Sequence, residues 1–193
     1  DAHLLPALER GSFDFIEDVA GKVPMDVVSE LRGVPEADRA ELRRLADVVV
    51  HRDDGVFDVP PAAAAASIDL AVYYLDLIAA RRREPRDDLT SALLEVEIDG
   101  ERLTDDELGA FLFLMVVAGN ETTTKLLGHS WFWGWRHPAE LAKPLADVRA
   151  VPRWVEETLR YYNSTQVLPR TTTQQFDLEQ GTIPDGTRVL LLV

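Results

Sequence analysis

Apolar residues along most of this chain recur at helical spacing, and the period changes only near the C-terminal end. Between Asp14 and Leu31, Phe15, Ile16, Val19, Val23, Val27, Val28 and Leu31 fall at one-face intervals, and Pro24 is expected to divide the stretch into two short helices. Gly33-Val34-Pro35 stops that pattern. Glu36 to Val50 predicts an amphipathic helix with Leu42, Leu45, Ala46 and Val49 on one face, followed by an exposed loop at His51 to Gly55. Alanines 62–66 run into Ile68, Ala71, Val72, Leu75 and Ile78, which predicts one helix from about Ala62 to Arg83. Arg81, Arg82 and Arg83 suit the negative end of its dipole and read as a solvated helix end. A short helix is expected from Asp87-Asp88-Leu89 to Leu94, and others over Ala139–Ala146 and Val151–Tyr162, the last with Val151, Trp154, Val155, Leu159 and Tyr162 inward. From Gln166 the period becomes strand-like, with Phe176-Asp177-Leu178 and Arg188 to Val193 as strands around a Pro184-Asp185-Gly186 turn. The expected class is mainly α with a small β region: one domain, helical over 1–165 and β over 166–193.

The stretch from Leu108 to Trp135 is apolar except in its middle, where Ala118-Gly119-Asn120-Glu121-Thr122-Thr123 interrupts it. Glycine and β-branched threonine weaken a helix, and a threonine hydroxyl can bond back to a carbonyl one turn earlier. On this segment alone, two helices joined by a polar loop at 119–124 is the simpler reading. Thr104-Asp105-Asp106-Glu107 is a capping box, however, and apolar periodicity continues on both sides. One unbroken helix from about Asp105 to Trp135, distorted near Gly119, is therefore expected, about 45 Å long at 1.5 Å per residue. A carboxylate beside an alcohol on such a helix could relay protons into an apolar pocket. Trp131, Trp133 and Trp135 read as core or helix-packing residues.

Composition narrows the options. The 193 residues are 46% hydrophobic, enough for one sizeable core. A net charge of −14 argues against nucleic acid and anionic membrane surfaces as partners. There is no cysteine, so no disulfide, thiolate nucleophile or thiolate ligand, and the four histidines show no zinc-like spacing; no metal site is expected from these residues. No apolar run is read as reaching the ~20 residues of a membrane span, and nothing at the start resembles a signal peptide, so a soluble cytoplasmic protein is expected. Both ends read as cut, since the chain starts at Asp1 and stops in the apolar run Val189 to Val193. An internal piece of a longer protein is expected.

Two further groups carry chemistry. Glu157-Thr158-Leu159-Arg160 sets a carboxylate and a guanidinium on one helix face, and Pro169-Arg170 offers an arginine suited to bidentate carboxylate recognition. The order of these pieces is A-G-x-E-T-T on a long helix, then E-x-x-R, then Pro169-Arg170-Thr171-Thr172-Thr173 and I-P-D-G-T-R-V-L-L-L. Upstream stand Gly33-Val34-Pro35 with Asp38-Arg39, and Asp87-Asp88-Leu89 with Ala92-Leu93-Leu94. That order resembles a soluble bacterial cytochrome P-450, a heme-thiolate monooxygenase, over nearly the whole chain from Gly11 to Val193.

The resemblance implies an incomplete P-450-like fold with heme as cofactor. It also implies dioxygen and a small apolar organic molecule as substrates, and a ferredoxin or similar electron donor. It implies that Ala118 and Gly119 kink the helix beside heme and make room for oxygen, with Thr123 among the cofactor contacts. Glu121 and Thr122 would be the proton-delivering acid–alcohol pair, and Arg170 would meet a heme propionate. Leu114 and Val117 would line the substrate pocket, with Val167 and Leu168 opposite, and the loop from His51 to Asp58 would cover its entrance. Glu157 and Arg160 would be a buried structural ion pair. The family's iron ligand is a cysteine, which this chain does not contain, so the 193 residues by themselves are expected to be inactive. Two alternatives stay open: a non-enzymatic helical binding module, and a family member that has lost heme chemistry.

Overall fold

The computed structural model describes residues 2–56 and 58–193, so Phe57, within the loop expected to cover a substrate entrance, lies outside the described residues. The chain forms two compact units, residues 1–128 and 129–193.

In the first unit, α1 (Leu4–Glu9) precedes a π-helical turn (Ile16–Ala20), α2 (Lys22–Arg32), α3 (Glu36–Val50), α4 (Pro61–Arg83) and α5 (Leu89–Glu95). A two-residue hairpin, β1 (Glu97–Ile98) with β2 (Glu101–Arg102), then leads into α6 (Asp105–Arg136), most of which belongs to this unit. The break expected at Pro24 falls instead at Gly21. Pro24 sits in the first turn of α2, where no intrahelical partner awaits its missing N–H, so the ring is tolerated. α3 packs along α4, and the core joins Met25, Leu42, Leu45, Leu70, Tyr74 and Ile78 to Leu108, Leu112 and Val116 of α6. By length and composition alone α4 could cross a membrane, which corrects the expectation that no run is long enough. In this fold one face of it, from Ala63 through Leu70 and Tyr74 to Ile78, lies in the core.

Charge is also buried here. Arg32, fully enclosed, donates from Nη1 to the Tyr74 hydroxyl and the Leu112 carbonyl, and from Nε to the Val28 carbonyl. Arg81 is not the solvated helix end expected. Its Nε donates to Asp88 Oδ2 and its Nη2 to the Gly33 carbonyl, because the close of α2 and the start of α5 both converge on the last turn of α4. Gly33 takes a left-handed conformation, φ 76°, and ends α2 with bonds from Val34 N to Ser29 O and from Gly33 N to Glu30 O. Thr90 Oγ1 donates to the Arg32 carbonyl, and Asp88 caps α5 at Ser91 N.

The second unit holds the end of α6, α7 (Pro138–Ala146), a 3-10 turn (Val148–Ala150), α8 (Val151–Tyr161) and four strands. β3 (Val167–Thr171) pairs antiparallel with β6 (Arg188–Leu192), and β4 (Phe176–Leu178) with β5 (Gly181–Ile183). Its interior is small. Trp133 meets Tyr161 edge-to-face at 4.9 Å, but Trp131 and Trp135 are 53% and 69% exposed. Successive even steps along a helix turn 200°, so both lie opposite Trp133, and the expectation that all three pack in a core is corrected. Val151 on α8 and Tyr162 just after it are likewise exposed, and Thr158 is the buried residue of the helix, with its hydroxyl bonded to the Trp154 carbonyl.

Candidate functional site

α6 starts where the sequence places it. Glu107 accepts from the Thr104 N–H, and the Thr104 hydroxyl accepts from the Glu107 N–H, closing the capping box. From there to Arg136 the helix is continuous and α-helical through 119–124, so no polar loop intervenes and no change of helix type marks Gly119.

The helix has two apolar faces with different fates. Leu108, Leu112, Val116 and Asn120 repeat every fourth residue and point into the core. Phe111, Leu114 and Ala118 repeat on another side and stay exposed, Leu114 by 60%. Thr122 continues that open stripe, and its hydroxyl donates to the Ala118 carbonyl at 2.8 Å, the back-bond expected of a mid-helix threonine. Ala118 is thus the narrow point of an open apolar stripe, with a hydroxyl one turn beyond it.

The remaining residues of the segment divide between the two sides. A Cβ on Gly119 would lie 3.1 Å from Val28 Cγ2, so this glycine serves the close approach of α6 to α2, not the open face. Glu121 pairs with Lys125 at 2.6 Å, one turn away, and is not bonded to Thr122. Thr123 is exposed, and Thr124 donates to the Ala20 carbonyl. Val117 packs at the edge of the core, whereas Leu114 is open. Asn120 had no role in the sequence reading. Its signal was there: it is the polar member of the every-fourth-residue series that begins at Leu108.

The second unit carries the other candidates. Arg160 donates to Glu157 through Nε and Nη2 at 2.8 and 2.7 Å, as the spacing suggests. This hydrogen bonding holds the Glu157 carboxyl below, and the Arg160 guanidinium above, its ordinary range. The pair is not buried, however. The side chains are 53% and 68% exposed, because they sit on the rim of a groove of about 480 Å³ between the end of α6, α7 and α8. Trp133, His137, Trp154 and Tyr161 form the groove's aromatic walls. On β3, Val167 and Leu168 lie opposite Leu192 and Leu191 of β6, Val167 exposed and Leu168 half-buried. Arg170, also exposed, donates to the Pro169 carbonyl and pairs with no carboxylate among the described residues. Among those residues, no group of three or more His, Asp and Glu is placed to hold a metal ion.

No family model matches the chain. Known sequences and structures do. It is 59% identical over 98% of its length to a putative cytochrome P450 123 of Mycobacterium bovis, covering 47% of that protein. It is 36% identical over 97% of its length to the cytochrome P450 monooxygenase PikC of Streptomyces venezuelae, covering 44% of it. The crystal structure of CYP109E1 from Bacillus megaterium in complex with testosterone superposes with a TM-score of 0.87 at 26% identity, over 98% of this chain and 51% of that one. The chain spans about half the length of the curated relatives it matches.

Proposed function

Since this chain belongs, over the length it spans, to the cytochrome P450 family, whose cofactor is heme, we propose that the protein carrying it is a heme-dependent monooxygenase. It inserts one atom of dioxygen into a small apolar organic substrate and sends the other to water, using two protons and two electrons from a ferredoxin or similar donor. The whole works as a cytoplasmic enzyme, without nucleic acid or membrane, and the two units are parts of one domain.

The observation that carries this reading is the open apolar stripe of α6, Phe111, Leu114 and Ala118, ending at the Thr122 hydroxyl. An exposed apolar face on an otherwise well-packed helix fits a flat hydrophobic group, and Ala118 leaves room for a diatomic molecule above it. On β3, the exposed Arg170 guanidinium is suited to a carboxylate such as a heme propionate. No cysteine, and so no thiolate ligand, is among these 193 residues. When bound, heme supplies the redox chemistry of oxygen activation.

The chain's own side chains bind, exclude water and move protons. Leu114, Val117, Val167 and Leu168 supply apolar contacts to the substrate. Ala118 and Thr123 belong to the helical wall beside the cofactor, while Gly119 contributes from behind it, by letting α6 approach Val28 of α2. Thr122 holds a proton donor at the open face, and Glu121, released from Lys125, exchanges protons with solvent. Glu157 and Arg160 act as a structural ion pair.

Thr122→Ala in the whole heme-loaded protein tests the assignment. Substrate affinity stays near wild type, while the proton-delivery step slows by about 10²-fold or more. Product per electron consumed falls and hydrogen peroxide rises. Unchanged product per electron counts against the role of Thr122, whereas absence of product from the heme-loaded wild type counts against the enzyme reading and for a binding module.

A further inference from the structure

Asn120 sits on the buried face of α6, on a seam where an apolar side chain would be the stable choice. It is 3% exposed and follows Leu108, Leu112 and Val116 in the buried series. Its Nδ2 donates to Asp47 Oδ1 on α3 at 3.3 Å, while its Oδ1 is buried without a partner among the described residues. A buried amide with half its hydrogen-bonding capacity unused costs stability. A lone polar residue in an apolar seam does, however, fix which turn of one helix faces which turn of its neighbour.

The setting of Asp47 supports that role. It lies on the last turn of α3, directly before the loop at 51–58. Three charged groups act on it: Arg43, with Nε at 3.8 Å, Glu17 on the π turn, which pairs with Arg43, and Glu121 on α6, which pairs with Lys125. Burial pushes the Asp47 carboxyl up; Arg43 opposes this, and Glu17 and Glu121 add to it. Two like charges, Asp47 and Glu121, therefore act on each other where Asn120 joins α6 to α3.

Building on the oxygenase reading, we infer that Asn120 is a positioning residue. Latched to Asp47, it sets the register of α6 against the end of α3 and so fixes where Ala118, Glu121 and Thr122 stand on the open side. Asn120 touches no reacting atom; it acts through the turn of helix it anchors.

The test uses the whole heme-loaded protein and four variants: Asn120→Ala, Asp47→Ala, both together, and Asp47→Asn. The last keeps a carboxamide oxygen that still accepts from Asn120. Backbone hydrogen exchange over 44–50 and 118–124 quickens about tenfold in each alanine variant and no further in the double. Asp47→Asn retains the wild-type rates. Product per electron falls severalfold in the two single alanine variants. Wild-type exchange in both singles, or effects that add in the double, overturns the latch. So does altered exchange with intact coupling in a protein that Thr122→Ala uncouples. If Thr122→Ala does not uncouple, the role of Thr122 fails on its own; if the heme-loaded wild type forms no product, the oxygenase reading fails; in either case the exchange pattern still decides the latch.

Discussion

The two units use the same chemistry, a guanidinium on a carboxylate, in opposite surroundings. In the first, Arg81 meets Asp88 with both side chains enclosed and a backbone carbonyl taking a further donor. In the second, Arg160 meets Glu157 through two parallel bonds on an open groove rim. Water decides what each contact is worth. Enclosed, the pair ties three helices together, and removing one member strands the other's charge. Open to solvent, the same bonds add little to stability. The enclosed pair is therefore informative about how the first unit folds, whereas the groove-rim pair holds little of the second unit's stability.

The sharpest way to break that contrast is at Arg81. Arg81→Ala is expected to destabilise the chain by about 3–5 kcal/mol, since Asp88 and the Gly33 carbonyl lose their shared donor in a dry site. Denaturant unfolding measures it, and a loss no larger than that of Arg160→Ala would erase the distinction. Apolar truncation extends the comparison to packing. Leu112→Ala in the first unit should cost about 2–5 kcal/mol, whereas Leu190→Ala on exposed β6 should stay within about 0.5 kcal/mol. Thermal melts of the two variants decide it.

Acid gives a smaller, graded effect. Burial pushes the Asp88 carboxyl up, but the Ser91 N–H, the Arg81 guanidinium and the Ser91 hydroxyl together outweigh it and hold it below its ordinary value. A folded-state value below the unfolded one contributes stability that is present above the unfolded pKa, near 4, and is lost as pH falls through the lower folded value. Melting temperature should accordingly fall below about pH 4, and Asp88→Asn should flatten that part of the profile. A slope unchanged in Asp88→Asn would mean other carboxylates carry the acid response.

What the sequence disclosed follows the reach of each interaction. The capping box at Thr104 and Glu107 spans four residues, and the structure forms it as read. The helices at 36–50 and 61–83 rest on local propensity and period, and both lie within a residue of their expected limits. Arg81 was misread because a partner, the Gly33 carbonyl, lies 48 residues away and leaves no local trace. Trp131 and Trp135 were misread because bulk says that a ring wants cover but not which side of the helix has any. At the candidate site, the Thr122 back-bond was legible from residue type. The pairing of Glu121 with Lys125 and the turn of Gly119 toward Val28 needed the helix in its place among neighbours.

Gly33 concentrates several demands on one atom that is not there. Its backbone is left-handed, its carbonyl is taken by Arg81, and any Cβ would collide with the Asp88 carboxylate and stand 2.8 Å from Arg81 Nη2. Trimming Asp88 to relieve the collision would remove the counter-charge of Arg81, and trimming Arg81 would orphan the carbonyl. The position therefore has no simple second-site suppressor. In a library that saturates residue 33, glycine should be the sole survivor, and revertants of Gly33→Ala should regain glycine itself and not change a neighbour. Heritable variation can reshape the exposed rim of the groove one substitution at a time, but at this corner it is confined to a single letter.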